Sequence, residues 1–258
     1  MNTAPSTHHQ PTFTTYARYP KGHLADLASE VISEFWGYPG PRPHLALHAY
    51  LTARFDHAHR HQGFTVSSGR AFSTFNTGLT SRRRGGHVYA LYQNPYRGNP
   101  DWHFHGWKTR EEIPPALPAL PPPATLLGPP TDYYTGGNLS CSKHLWGILH
   151  TPAYQQAVQK HGGIEEMIKH IGRTAGRNPE LITPAWDPQQ HKPYTLYPFT
   201  HSTDKPIEAL VISRRNRHSP YTAVTLKTIT SAYCDARLTH RLPPHNWLTT
   251  AFIKGKGI

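Results

Sequence analysis

Residues 71–93 read AFSTFNTGLTSRRRGGHVYALYQ. Residues 71–76 alternate along the chain, and residues 87–93 are rich in the β-branched and aromatic side chains that suit a pleated, half-buried surface. Between them lies a glycine- and arginine-rich loop, Thr80 to Gly86. Further on, residues 102–107 (WHFHGW) alternate aromatic and histidine, the period of two that marks one buried strand face. These strands set the fold class, because helical patterns flank them on the N-terminal side.

Leu24, Leu27, Ala28, Val31, Ile32 and Phe35 fall at helical spacing, predicting a helix over residues 24–35. The glycine- and proline-rich stretch from Gly37 to Pro43 stops it. A second helix is expected over residues 44–61, with Leu47, Tyr50, Leu51, Phe55 and Ala58 as its apolar stripe. In the second half, Thr151-Pro152 reads as an N-cap and first-turn pair for a helix over 152–160. Ile164, Met167, Ile168 and Ile171 begin another short helix. Residues 193–199 and 208–213 read as strands. Residues 222–238 form a last element with Ala232, Tyr233 and Ala236 on a helical face, although Val224 and Leu226 suit a strand equally well. No internal repeat is visible.

The expectation is an α+β chain, a single mixed α/β domain over residues 21–258 with a central sheet flanked by helices. Residues 1–20, polar and rich in Thr, His and Pro, read as a flexible arm. Residues 114–130 (PPALPALPPPATLLGPP) are too dense in proline for a helix or a central strand and read as an extended crossing segment. A proline-rich docking ligand is the alternative.

The chain of 258 residues is 36% hydrophobic, and its mean hydropathy of -0.61 leaves a modest core and much loop or surface. No apolar run approaches the ~18 residues that span a bilayer. The first twenty residues lack a basic region followed by an apolar one, so a cytoplasmic protein with no membrane partner is expected. Cys141 and Cys234 have no metal-binding spacing and read as reduced, buried thiols.

Charge is the most informative total. Lysine and arginine number 27 against 15 acids, a net charge of +12 with twenty histidines neutral. A field of this sign attracts phosphate backbones. The charge is also clustered: Arg82, Arg83 and Arg84 in the loop after the first strand, Arg214, Arg215 and Arg217 after residues 208–213, and Arg237, Arg241 and His240 near the C-terminus. Guanidiniums on loops suit multidentate phosphate contacts, while a solvated face is the plain alternative. Tyr89, Tyr92, Trp102, Phe104 and Trp107 lie near the first cluster in sequence. Aromatic faces beside cations are what single-stranded nucleic acid needs, though aromatics on strands also serve as core.

Asn76 and Thr77 present an amide and a hydroxyl where the first strand is expected to stop, with Gly78 permitting a tight turn. They read either as binding groups at a strand end or as side chains bonded to their own backbone. His57 and His61 share a helical face, and His103 and His105 share a strand face, but neither pair is completed into a metal site. No phosphate-binding loop, dinucleotide fingerprint, nucleophile elbow or zinc-protease motif occurs. No metal and no cofactor is expected, and whether the chain is an enzyme stays open.

Residues 44–66, the FNTGL of 75–79, the VYALY of 88–92 and PYTAVTLKTITSAYCDARLTHRLPPHNWL over 220–248 resemble, in order and spacing, the bacterial domain of unknown function 3825 family. The resemblance spans about residues 24 to 248. It departs in a shortened, proline-rich middle and at Asp235, where the family commonly has asparagine. It implies one mixed α/β domain and an RNA-related setting, since relatives are often joined to RNA-binding modules, and it implies no catalytic residue. It draws attention to Asn76, Thr77, Tyr89, Tyr221, Tyr233 and Arg237. Arg237 lies within an apolar helical pattern, where a guanidinium needs acceptors or an anionic ligand.

Three functions follow as expectations. The first is an RNA-associated binding or processing protein, with Asn76 and Thr77 at a pocket floor and the arginines of 82–84 and 214–217 on its rim. The second is an enzyme on a nucleotide or nucleic acid, with Asn76, Thr77 and Arg237 gripping phosphate or ribose and Tyr221, Tyr233 or a histidine moving protons. The third is a protein-protein interaction module of a stress or defence system, using the proline-rich segment.

Overall fold

Two five-stranded sheets carry the structure, one in each of two compact units, Met1–Ala124 and Thr125–Ile258. The computed structural model describes residues 12–31, 36, 44–94, 102–117, 119–123, 132–201, 207–243 and 245–254. The α+β class expected from the sequence is the class observed. The expected single central sheet is instead two sheets, and the unit boundary at 124/125 falls inside the proline-rich segment. A stretch this poor in backbone donors cannot be threaded through a sheet. Residues 118 and 124–130 of it lie outside the described residues.

In the first unit, α1 (Phe13–Tyr16) and β1 (Ala17–Arg18) precede α2 (His23–Glu30) and α3 (Leu45–Arg60). A meander follows: β2 (Phe64–Val66), β3 (Phe72–Thr80), β4 (His87–Gln93) and β5 (Trp102–Lys108). The sheet order is β1-β5-β4-β3-β2, with β1 parallel to β5 and the other pairs antiparallel. The apolar stripe of α3 forms as expected, with Leu47, Tyr50, Leu51 and Phe55 fully buried. Phe55 meets Phe75 of β3 edge-on at 5.7 Å.

Part of the expected arm is built into this core. Phe13 is 1% exposed, and Tyr16 packs against both Phe55 (5.1 Å) and Tyr92 (5.0 Å). Two aromatics three residues apart supply more buried surface than the polar composition of residues 1–20 suggests; residues 1–11 lie outside the described residues. The first helix is shorter than expected, ending at Glu30, because Val31 turns extended and bridges to Ser81. Residues 32–35 of that expectation lie outside the described residues.

The strand through Asn76 does not stop there. It runs on to Thr80 across a bulge between Asn76 and Thr80, and Gly78 takes the left-handed conformation (φ 73°) that the bulge requires.

The second unit opens with β6 (Ser140–Cys141), then α4 (Lys143–Leu149), α5 (Gln155–Lys160) and α6 (Ile164–Arg177). Its meander is β7 (Thr183–Asp187), β8 (Lys192–Phe199), β9 (Glu208–Ser213) and β10 (Thr222–Lys227), closed by α7 (Ile229–Thr239) and α8 (Trp247–Lys254). The order is β6-β10-β9-β8-β7, with β6 parallel to β10. Thus both sheets share one topology: a two-residue first strand lies parallel to the last, and the rest return antiparallel. The sequence shows no repeat, yet the fold repeats.

On one face, Leu145, Leu149, Ile164, Met167, Ile168 and Ile171 of the helices bury Tyr197, Phe199, Leu210 and Ile212 of the sheet. α7 packs on β7 and β9. The ambiguous stretch 222–238 is therefore strand and then helix, divided at Thr228, whose hydroxyl accepts from the Ser231 amide. Thr151 does not cap the following helix. Its hydroxyl donates to the Ile148 carbonyl at 2.8 Å, closing α4, and α5 starts later, at Gln155. Both cysteines are free; Cys234 is buried, while Cys141 is only half-buried, with its thiol pushed up to about 11 by burial. Among the described residues no helix is long and apolar enough to cross a membrane.

Candidate functional site

The corner at Asn76 is a structural device. Its carbonyl oxygen accepts from the Gly78 amide (2.9 Å) and its amide donates to the Pro121 carbonyl (3.2 Å). The Thr77 hydroxyl donates to the Val88 carbonyl at 2.6 Å and accepts from the Leu79 amide at 3.2 Å. Of the two sequence readings, bonding to the backbone is the one observed for both side chains. Neither lines the cleft described below. Tyr89 stands opposite Asn76 on β4, buried, with its hydroxyl pKa raised by that burial against the opposing charge of Arg110.

Sequence reading missed the residues behind this bulge. Tyr50 of α3 donates from its hydroxyl to the Thr77 carbonyl (2.9 Å) and accepts from Arg54 Nε (3.0 Å). Arg54 is only 4% exposed. A side chain at position 78 would run into its guanidinium and the Tyr50 hydroxyl, so Gly78 answers a close approach as well as a backbone angle. Arg54 sits four residues after Tyr50 on the apolar stripe, and that position was the signal that could have found it.

The bulge sets the exit angle of β3 into its turn, where Arg82, Arg83 and Arg84 are all exposed. The turn is pinned. Ser81 donates its hydroxyl to the Glu30 carboxylate, and the Arg82 amide donates to the Glu30 carbonyl at 2.6 Å. Two of the three guanidiniums have acidic neighbours: Arg83 lies 3.7 Å from Glu30, and Arg84 lies 3.8 Å from both Glu111 and Glu112. Hydrogen bonding from the Thr109 amide, helped by Arg84 and Lys108, holds the Glu112 carboxyl below its ordinary range.

A cleft of about 470 Å³ opens beside this turn, walled by Arg83, Arg84, Phe104, Trp107 and Lys108 with the acids Asp26, Glu30 and Glu112. Phe104 and Trp107 meet edge-on at 4.7 Å and are half-buried. The Trp107 indole is oriented by a 2.7 Å bond to the His23 carbonyl. Burial lowers the pKa of the His23 ring behind it. Tyr92 and Trp102, in contrast, are core.

The remaining candidates lie in the second unit. Arg214 and Arg217 share one carboxylate, Asp132, at 3.1 and 3.3 Å. Arg214 also lies over the Tyr221 ring at 5.0 Å, while Arg215 is exposed. Tyr233 stacks flat on Phe252 at 4.1 Å. Arg237 is 3% exposed within α7, so it does not join Arg241 and His240 in a surface cluster; burial and the Arg237 charge lower the His240 pKa. The six pocket candidates thus divide into Asn76, Thr77 and Tyr89 in one unit and Tyr221, Tyr233 and Arg237 in the other.

A further buried polar group, unseen in the sequence, joins three elements. Tyr194 of β8 and Lys227 of β10 both donate to the Asp235 carboxylate of α7, and Lys227 also reaches the Tyr194 hydroxyl at 3.2 Å. Burial raises the Asp235 carboxyl above its ordinary range, against the pull of Lys227.

His57 and His61 share a face as their spacing predicts, with rings 4.3 Å apart. Among the described residues no group of three or more His, Cys, Asp or Glu is arranged to hold a metal ion. The start of the proline-rich segment is docked: Leu117 and Pro121 are buried, and the Pro121 carbonyl is taken by Asn76.

A family described as a domain of unknown function (DUF3825) matches residues 27–247, which spans both units, and the chain belongs to that family. No curated protein and no solved structure matches the chain.

Proposed function

We propose that this member of the DUF3825 family binds single-stranded RNA in the cleft of its first unit. One observation carries the reading: the half-buried Phe104–Trp107 pair shares a cleft with Arg83, Arg84 and Lys108. A single strand offers bases that stack on aromatic faces and phosphates that pair with cations, and a cleft holding both chemistries suits it. The acids beside Arg83 and Arg84 do not forbid this. Their contacts are long and the guanidiniums are about half exposed or more, and such solvent-screened pairs contribute about 0–1 kcal/mol. A phosphate exchanges with them at little cost. The net charge of +12 supports the same partner. RNA rather than DNA rests on the setting that the family resemblance implies.

The test is fluorescence anisotropy with a labelled oligouridylate across a salt series. Wild type binds, with log affinity falling linearly as log salt rises, because bound phosphates release counterions. Trp107→Ala loses about 1–3 kcal/mol of binding, the worth of one stacked base. Trp107→Phe keeps the stacking face and recovers most of that loss. Arg83→Ala combined with Arg84→Ala makes the salt dependence shallower. A wild-type affinity that is flat between low and moderate salt overturns the proposal.

A further inference from the structure

Of the arginines that stand out in the sequence, Arg83, Arg84, Arg214 and Arg217 each have a carboxylate within 4 Å. A different set of cations includes two arginines without such a carboxylate among the described residues. α6 buries Ile164, Met167, Ile168, Ile171, Gly172 and Ala175 on one side. On its opposite side Lys169, Arg173 and Arg177 stand four residues apart and are exposed. Lys169 bonds Glu166 at 2.8 Å, a pair more than half exposed on both sides. Among the described residues neither Arg173 nor Arg177 has a carboxylate within salt-bridge distance.

The ladder borders a cavity of about 520 Å³. Lys169 and Arg173 form one wall, and the Gly137–Ser140 segment and Pro220 complete it. The two sides are held together tightly. The Gly137 amide donates to the Gly172 carbonyl at 3.2 Å, and the Tyr134 hydroxyl donates to the Gly137 carbonyl at 2.8 Å. A Cβ on Gly136 would collide with the Cα of Gly176, and one on Gly172 with the Gly137 carbonyl oxygen. Glycine at these positions lets the segment lie directly on the helix, so the cavity wall is fixed to the ladder beside it. Pro220 carries the same face into the turn that bears the exposed Arg215.

We infer that this face of α6 is a second nucleic-acid contact, taking the phosphodiester backbone of an RNA strand; the inference rests on the RNA reading above. Positions four apart on a helix are separated by about 6 Å along its axis, close to the spacing of successive phosphates in a strand. One phosphate sits in the cavity between Lys169 and Arg173, and the next lies over Arg177. The face offers charge without an aromatic platform, so it tracks the backbone and reads no base.

The experiment uses the full chain and the same labelled oligouridylate, about a dozen residues long. Arg173→Ala with Arg177→Ala weakens binding about tenfold and makes the salt dependence shallower by about 1.4, two phosphates at about 0.7 each. Arg173→Lys with Arg177→Lys keeps the slope, since charge and not geometry is needed. The thermal midpoint of all variants stays that of wild type. If the alanine pair binds as wild type does while Trp107→Ala is weakened, the ladder is idle and the cleft reading stands alone. A wild type that does not bind the oligomer removes both. Uridine monophosphate binding as tightly as the oligomer overturns the track, because a track needs successive phosphates.

Discussion

The two units solve one topological problem by different means. Each must hold a two-residue first strand against the last strand of its sheet, although so short a strand contributes little pairing of its own. In the first unit the segment ahead of β1 is plugged in by aromatic rings, Phe13 and Tyr16, against Phe55 and Tyr92. In the second a ring is again buried ahead of the strand, Tyr134 at 1% exposed, and the approach to β6 is closed by removal of side chains: Gly136 and Gly137 lie directly on Gly172 and Gly176. Both bury rings, and the second unit also lets backbone meet backbone. The same topology therefore carries no common sequence signature, since its anchor is a pair of rings in one copy and a ring followed by a glycine pair in the other.

The sharpest way to break this comparison is Phe13→Ala. Emptying a site that is 1% exposed is expected to cost about 3–5 kcal/mol in urea unfolding. A loss below about 1 kcal/mol would return residues 12–18 to the status of a loose arm. Gly136→Ala comes next, at about 3 kcal/mol. Its new methyl strikes backbone that cannot yield, at a φ of 112° that an L side chain rarely adopts. Gly78→Ala in the first unit is milder, because the atoms it meets are the ends of Arg54 and Tyr50 side chains, which can move. Equal losses for the two glycines would contradict that distinction.

The Lys227–Asp235 pair comes third. Lys227→Met strands a buried carboxylate and costs about 3 kcal/mol, whereas Asp235→Asn keeps a partner for Tyr194 and lets the partly exposed ammonium return to water at little cost. The pH dependence separates the two further. The folded-state pKa of Asp235 lies above its ordinary 3.8, so the stability it contributes is complete below that value and is lost as pH rises through the folded value. Asp235→Asn should therefore gain on wild type across that window in a series of thermal melts, and a constant gap would mean that the carboxyl is not perturbed. The smallest effect is Arg84→Ala, whose exposed pairs should leave stability within about 0.5 kcal/mol while RNA affinity falls.

What the sequence made legible follows from how local each signal is. The apolar stripe of α3, the strand propensity of β4 and the alternation in β5 are written in consecutive residues, and those elements stand where expected. β7 went unseen because Pro184 and a charged end disguise a strand at the sheet edge, the place where proline is tolerated. The bulky apolar spacing that marks α6 in the sequence ends at Ile171, and the small residues Gly172 and Ala175 hide its continuation, so nothing in the sequence places Arg173 and Arg177 on its outer face. Among site residues, the exposed arginines of 82–84 were plain, whereas Tyr194, Lys227 and Asp235 come from three elements and no spacing rule connects them. Asn76 and Thr77 stand out as polar groups at an expected strand end, but the strand runs on through them and their side chains bond the backbone of Gly78, Leu79, Val88 and Pro121.

The pinning of the β3–β4 turn has a consequence for proteolysis. Three consecutive arginines with exposed side chains present a run of trypsin sites. A protease, however, needs the backbone drawn out into an extended strand, and here the amides are engaged. Those of Ser81 and Gly85 close the turn on the Gly86 and Ser81 carbonyls, that of Arg82 is held by Glu30, and that of Arg84 by the Ser81 hydroxyl. The native chain is expected to resist cutting at this turn, and Glu30→Ala, by releasing the Ser81 hydroxyl, should open it to the enzyme.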